Sequence, residues 1–140
     1  HIADAQEKGA ELLCGGQWDG NRCEPTVLLN VAEGMECFAE ETFGPVVSVY
    51  AIDNLDEAIA AANNTRYGLS STIYTNDLNK ALKYAKTIEA GMVHINGPSS
   101  SDEAHVPFGG VGDSGSGREG TEADIEALTE LKWVTIQMAT

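Results

Sequence analysis

The sequence predicts an α/β fold built on a parallel βαβαβ core. Residues 46–52 (VVSVYAI) are apolar almost without alternation and rich in β-branched side chains, which is typical of a strand buried on both faces. Two further strands are expected at 70–75 (SSTIYT) and 92–96 (MVHIN). Each gap between these strands carries apolar residues at helical spacing, at 55–62 and 78–88. Because a short crossover through a helix returns the next strand in the same direction, we expect the three strands to be parallel.

The helices carry boundary signals of their own. Asn54 followed three residues later by Glu57 resembles a capping box, and Gly91 ends the second helix. Upstream, the spacing of Ile2, Ala5 and Ala10 indicates that the chain opens in a helix. Two extended pieces, ELLCGG and EPTVLLNV, then lie on either side of a turn-rich stretch.

The last third of the chain lacks this alternation of strands and helices. Residues 97–121 have no apolar period and are rich in glycine, and a long structureless stretch in a compact domain is more often functional than decorative. A helix is expected around 122–128, followed by an alternating segment, LKWVTIQM, that suits a half-exposed strand at 131–138. We therefore divide the chain into a main domain, 1–130, and a terminal strand segment, 131–140.

Composition excludes several classes of partner. The 140 residues carry 8 Lys and Arg against 22 Asp and Glu, a formal charge of -14, and 42% of them are hydrophobic. So acidic a chain is a poor binder of nucleic acid or anionic membranes. No apolar stretch reaches the roughly 18 residues of a spanning helix. Three cysteines without a CxxC pair argue against a disulfide framework or a zinc ribbon, so we expect a reducing, cytoplasmic setting.

Several local motifs admit two interpretations. Residues 110–115 fit GxGxxG, which cradles a pyrophosphate where it joins a strand to a helix and is otherwise only a shaped loop. The cysteines have no adjacent base, which favours inert thiols over nucleophiles. His94 alternates with apolar neighbours, which favours a structural role, and the histidines lack metal-ligand spacing, so no metal is expected. The pair Asp102 and Glu103 is either a solvated loop face or an acid pair.

Glu41 and Phe43 lie immediately before the most apolar strand, and functional residues of α/β proteins gather at strand ends. A carboxylate can accept hydrogen bonds from both hydroxyls of a ribose, and a phenyl ring offers an apolar face to a flat heterocycle. The alternative interpretation of these residues is an acidic turn in which one aromatic residue anchors the chain.

Four motifs together resemble the aldehyde dehydrogenase superfamily. They are ETFGP at 41–45, NNTRYGL at 63–69, PFGG at 107–110 and SGSGRE at 114–119, in the order and spacing of the C-terminal part of that family's catalytic domain. The segment 94–110 is most similar to vanillin, benzaldehyde and salicylaldehyde dehydrogenases, which implies an aromatic aldehyde substrate. The resemblance extends over essentially the whole chain.

The resemblance implies roles for particular residues. Glu41 would hold the nicotinamide-ribose hydroxyls of NAD or NADP, and Phe43 would pack near the nicotinamide. Phe108 matches the aromatic residue of the PFGG turn beside the substrate tunnel. The preceding loop, 99–106, would form part of the tunnel wall through Ser101, Asp102 and His105. Segment 131–138 would join a neighbouring subunit in a homo-oligomer.

The family's nucleophilic cysteine, in a Gly-Gln-x-Cys context, and its general base, in a Glu-Leu-Gly-Gly context, have no counterpart in this sequence. No catalytic residue is therefore assigned. We expect the chain to be a fragment of an aldehyde dehydrogenase that is inactive alone. The alternative is a non-catalytic association module that assembles with full-length subunits.

Overall fold

A computed structural model describes residues 1–120 and 122–138. The chain divides into two compact units, His1–Asn54 and Leu55–Thr140. The elements of the first unit are α1 (Ile2–Glu7), β1 (Glu11–Cys14), β2 (Trp18–Asp19), β3 (Arg22–Cys23), β4 (Thr26–Leu29), α2 (Glu36–Ala39) and β5 (Val46–Val49). Those of the second are α3 (Leu55–Asn63), β6 (Tyr67–Gly68), β7 (Ser70–Ile73), α4 (Leu78–Thr87), β8 (Met92–Ile95), β9 (Val111–Gly112) and α5 (Glu122–Leu128).

The first unit is organised around a mixed sheet of order β1-β4-β5. Strand β4 pairs antiparallel with β1 and parallel with β5. Leu28 at the centre of β4 is fully buried and packs in a cluster with Ala5, Ala10, Val31 and Met35. Thr26 is also buried; its hydroxyl donates to the Glu24 carbonyl (2.8 Å) and accepts from the Gly16 amide (2.9 Å). Both bonds satisfy a polar group that would otherwise be costly to bury.

The second unit contains a parallel pair, β7 and β8, packed against α4. Asp77 caps this helix, because its carboxylate accepts from the amides of Asn79 (2.9 Å) and Lys80 (3.2 Å). Tyr84, buried on α4, is hydrogen-bonded through its hydroxyl to Ser71 on β7. The helix is thereby fixed to the sheet by a polar contact as well as by packing.

Several sequence predictions are confirmed, and others are corrected. Helices at the chain start, at 55–63, at 78–87 and at 122–128 are present, and the strands expected at 70–75 and 92–96 form a parallel pair, β7 and β8. The single βαβαβ sheet is wrong: β5 pairs with β4, whereas β7 and β8 form a separate two-stranded sheet. Strand β5 also ends at Val49, and Val47 is 56% exposed instead of buried. An apolar run predicts a strand but does not indicate which strand lies beside it.

The glycine-rich segment is more ordered than its composition suggests. Strand β9 pairs antiparallel with β6, and Phe108 forms an isolated bridge with Glu119. Thr121, the last residue of the predicted loop, lies outside the described residues.

The strand predicted at 131–138 is not confirmed. These residues have no regular secondary structure, and their apolar side chains are open, with Leu131 fully exposed and Trp133 91% exposed. A strand is defined by hydrogen bonds to a neighbour, and none of the other described residues forms a ladder with this segment. Residues 139–140 of the predicted terminal segment lie outside the description.

Candidate functional site

The first candidate region is the turn at residues 41–45, called here the Phe43 turn, between α2 and β5. The Pro45 carbonyl accepts from the Thr26 amide at 2.8 Å, which ties the end of the turn to β4. The Thr42 hydroxyl is hydrogen-bonded to Nδ1 of His1 at 2.8 Å. With its backbone held in this way, the turn leaves Glu41 exposed and the Phe43 ring 96% exposed.

A pocket of about 350 Å³ lies beside Phe43. Trp18, 65% exposed, contributes a second aromatic surface. Open aromatic faces of this kind suit a flat heterocycle. The remaining lining residues are His1, Ile2, Ala3, Cys23, Thr42, Gly44, Pro45 and Val46.

Cys23 is the cysteine that borders this pocket. Its Sγ donates to the Glu24 carbonyl at 3.4 Å, so the thiol hydrogen faces a backbone oxygen and not a base. A nucleophilic cysteine needs a base that removes its proton. The contact therefore supports the interpretation of Cys23 as an inert thiol.

One carboxylate near this region has a perturbed pKa. The side-chain hydrogen bond from Lys8 lowers the pKa of Asp4, and the Glu36 amide, which donates to Asp4 at 2.8 Å, lowers it further. Asp4 thus joins α1 to the first residue of α2, the helix that precedes the Phe43 turn.

The second candidate region is a cavity of about 400 Å³ in the second unit. One wall is the strand β8 with the residue before it, and the other is formed by the loop at 101–108. The apolar lining residues are Gly91, Met92, Val93, Val106, Pro107 and Phe108, and the polar ones are His94, Ser101, Asp102 and Glu103. A mostly apolar cavity with a few polar groups is the usual form of a small-molecule site.

The turn at 107–110, called here the Phe108 turn, is fixed by hydrogen bonds on one side. The Phe108 amide donates to the Glu119 carbonyl (2.8 Å), and the Glu119 amide donates back (2.7 Å). Arg118 Nη1 donates to the carbonyls of Gly110 (2.8 Å) and Gly117 (2.7 Å). Phe108 is consequently half-buried in a defined position at the cavity wall.

The structure brings together three of the four residues predicted to contact substrate. Ser101, Asp102 and Phe108 line the same cavity, whereas His105 is not among its lining residues. His105 is largely exposed, with Nε2 3.5 Å from the Glu103 carboxylate.

Sequence reasoning missed the residues that β8 contributes to the cavity, Met92, Val93 and His94. The Nε2 atom of His94 is buried and has no hydrogen-bond partner among the described residues. The available signal was a histidine inside an otherwise apolar strand, which sequence alone assigned to a structural role.

The GxGxxG match at 110–115 forms part of a loop. Val111 and Gly112 pair with β6, and the amides of Ser114 and Gly115 then close a turn onto the carbonyls of these two residues. The next helix, α5, begins only at Glu122. A dinucleotide fingerprint needs the helix N-terminus directly after the glycines, so the shaped-loop interpretation is the correct one.

Within residues 1–120 and 122–138, no three or more His, Cys, Asp and Glu side chains are grouped to hold a metal ion. None of the helices formed by these residues is both long and apolar enough to cross a bilayer.

Comparison with known proteins decides the family. The pattern that defines the aldehyde dehydrogenase family matches residues 1–134. The chain belongs to this family. Vanillin dehydrogenase of Pseudomonas fluorescens is 45% identical over 136 residues, which cover 97% of this chain and 28% of that protein.

Solved aldehyde dehydrogenase structures share the α/β fold of the chain. A salicylaldehyde dehydrogenase from Pseudomonas putida G7, complexed with salicylaldehyde, has a TM-score of 0.92 and 43% identity, covering 98% of this chain and 28% of that one. A Mycobacterium tuberculosis aldehyde dehydrogenase complexed with NAD+ has a TM-score of 0.87 and 35% identity, covering 99% and 29%. The chain thus spans about 28% of the length of the curated relatives that it matches.

Proposed function

We propose that this chain is the part of an NAD(P)-dependent aldehyde dehydrogenase that positions the nicotinamide ribose and forms one wall of the aldehyde pocket. The enzyme oxidises an aromatic aldehyde to a carboxylic acid. The observation that carries the proposal is the cavity of about 400 Å³ bounded by Phe108, Ser101 and Asp102 in a chain of this family. The relatives named for vanillin, salicylaldehyde and benzaldehyde support an aromatic substrate.

The cavity suits an aromatic ring on physical grounds. Phe108, Met92 and Val106 supply apolar surface, and rings pack against such surface in offset or edge-to-face arrangements. Ser101 and Asp102 place polar groups at the same cavity, where they orient a substituent of the ring. The role of these residues is to exclude water and hold the aldehyde in position.

The Phe43 turn fits the nicotinamide end of the cofactor. The open Phe43 ring offers a face to the flat heterocycle, and the exposed carboxylate of Glu41 is able to accept hydrogen bonds from the ribose hydroxyls. When bound, the nicotinamide supplies the hydride acceptor. This chain's contribution is placement, and the thiolate and general base of the reaction belong to motifs that the sequence does not contain.

The proposal is tested by replacing Glu41 in the aldehyde dehydrogenase that carries this sequence. A hydrogen bond to a charged group contributes about 1.5–3 kcal/mol, so Glu41→Gln should raise the KM for the cofactor about tenfold or more and leave the aldehyde KM nearly unchanged. Glu33→Gln, which removes the same charge from another exposed position of the first unit, is the matched control. An unchanged cofactor KM and kcat in Glu41→Gln would contradict the ribose role.

The 140-residue chain alone should produce no NADH from NAD and benzaldehyde above background. Turnover by the chain alone would show that it carries its own nucleophile, contrary to the proposal. Cys14→Ser, Cys23→Ser and Cys37→Ser would then identify the thiol responsible.

A second candidate function is subunit association through residues 131–138. The open side chains of Leu131, Trp133 and Ile136 favour it, because a large exposed apolar patch usually marks an interaction surface. Light scattering should detect a dimer or larger species for the full chain and a smaller species for a chain ending at Glu130. A monomeric full chain at high concentration would exclude this function.

A further inference from the structure

We infer that Gly91 is a positioning residue of the aldehyde pocket, because its missing side chain determines where the Phe108 turn lies. The inference rests on the function proposed above. Gly91 lines the cavity and directly precedes β8. It therefore belongs to the strand wall at the place where this wall meets the Phe108 turn.

The contact between Gly91 and the Phe108 turn is one of backbone on backbone. A β-carbon placed on Gly91 would overlap the carbonyl oxygen of Gly109 and lie 2.8 Å from its carbonyl carbon and 2.9 Å from Cα of Gly110. Because every one of these atoms belongs to the main chain, no side-chain rotation can relieve the overlap. A side chain at position 91 must displace either the strand or the turn.

The hydrogen bonds determine which of the two moves. The Gly91 amide donates to the Gly68 carbonyl (3.0 Å), and the next amide, of Met92, donates to the Leu69 carbonyl (3.0 Å). These bonds, with the β7–β8 ladder that follows, fix position 91. The Phe108 turn is held by hydrogen bonds to other loop residues, so the turn is the part that moves, and it carries the Phe108 ring with it by roughly 1 Å. A misplacement of that size can reduce a rate about a hundredfold.

Gly97 provides a matched control. A β-carbon on Gly97 would have nothing within 4 Å, and its backbone is not in the left-handed region. Gly97→Ala thus makes the same chemical change six residues along the chain, without an overlap.

The kinetic test uses Gly91→Ala and Gly97→Ala in the dehydrogenase that carries this sequence. Gly91→Ala should raise the KM for benzaldehyde about tenfold or more, while the cofactor KM changes by less than about twofold, since only the aldehyde meets the Phe108 wall. Gly97→Ala should leave both within about twofold. An unchanged benzaldehyde KM in Gly91→Ala, or an equal rise in both constants, would overturn the inference.

A structural readout separates this inference from the proposed function. The Phe108 and Glu119 amides each donate a hydrogen bond to the other residue's carbonyl. In the 140-residue chain, Gly91→Ala should speed hydrogen exchange of these two amides about tenfold or more. The α4 amides, such as that of Ala81, should be unaffected. Unchanged exchange at Phe108 and Glu119 would overturn the inference. Faster exchange, combined with a parent protein that oxidises no aldehyde, would overturn only the proposed function.

Arg118→Gln serves as a second variant if Gly91→Ala does not fold. It removes the Nη1 hydrogen bonds to Gly110 and Gly117 without introducing a clash, and so loosens the same turn from the opposite side. The benzaldehyde KM should rise about three- to tenfold, with the cofactor KM unchanged. No selective rise would count against a role for turn placement in aldehyde binding.

Discussion

The Phe43 turn and the Phe108 turn present the same residue type in opposite ways. The Phe43 ring is 96% exposed, and its turn is joined to β4 and to His1 by single hydrogen bonds. The Phe108 ring is half-buried, and its turn is held by a reciprocal backbone pair with Glu119 and by Arg118. An open aromatic face is available for contact with another molecule, whereas a half-buried one forms part of a cavity wall, so burial distinguishes two phenylalanines that the sequence alone does not.

The largest expected difference between the turns is in stability when one glycine of each is replaced: Gly110, two residues after Phe108, and Gly44, directly after Phe43. A β-carbon on Gly110 would lie 2.7 Å from Cβ of Ser114 and 3.1 Å from the Gly68 carbonyl, whereas one on Gly44 would meet only the Thr42 carbonyl at 3.8 Å. Gly110→Ala should therefore lower the free energy of unfolding by about 2 kcal/mol. Gly44→Ala should change it by less than about 0.5 kcal/mol. Urea unfolding checks both, and equal effects would show that the two turns are packed alike.

A smaller effect is expected at the serine that supports the Phe108 turn. The Ser114 hydroxyl accepts from the buried amide of Gly68 at 3.0 Å. Ser114→Ala would leave that donor unsatisfied and should cost about 1–1.5 kcal/mol. Ser116→Ala, at an exposed position of the same loop, should cost less than about 0.5 kcal/mol. Equal urea midpoints for the two variants would indicate that the Gly68 amide finds another acceptor.

The smallest expected effect is the pH dependence of stability that comes from Asp4, which joins α1 to the helix before the Phe43 turn. Because the Lys8 side chain and the Glu36 amide hold the pKa of folded Asp4 below the usual 3.8 of an aspartate, the ionised carboxylate stabilises the fold above that pH. This contribution is lost as the pH falls through the folded-state pKa. Asp4→Asn should thus be less stable than the wild type at pH 7, with the difference shrinking at pH 3. A difference that persisted unchanged at pH 3 would contradict the role of this charge.

The sequence anticipated the elements whose signals are local. Helix α4 was expected from the helical spacing of its apolar residues and the strand β8 from its apolar run after Gly91, and both lie close to the predicted positions. Three of the four residues that the family resemblance predicted to contact substrate, Ser101, Asp102 and Phe108, line one cavity.

Long-range pairing could not be predicted in the same way. Strands β6 and β9 have two residues each and come from distant parts of the chain, too short for any period to show. The contact between Gly91 and Gly109 involves only main-chain atoms, so no side-chain pattern records it. The apolar strand pattern around His94 likewise does not show that this residue lines a cavity.

Asn96 determines how the chain leaves the second sheet. Its φ of 57° is left-handed, and its side-chain amide accepts from the Thr75 amide (2.8 Å) and donates to the Thr75 carbonyl (2.9 Å). The side chain of Asn96 thus makes with the Thr75 backbone the pair of hydrogen bonds that a further residue of the β7–β8 ladder would make. An ionised carboxylate at this position could keep the first bond but would repel the Thr75 carbonyl in the second. The conversion of the Asn96 side-chain amide to an acid would therefore weaken the attachment of the loop that leads from β8 to the 101–108 wall of the cavity.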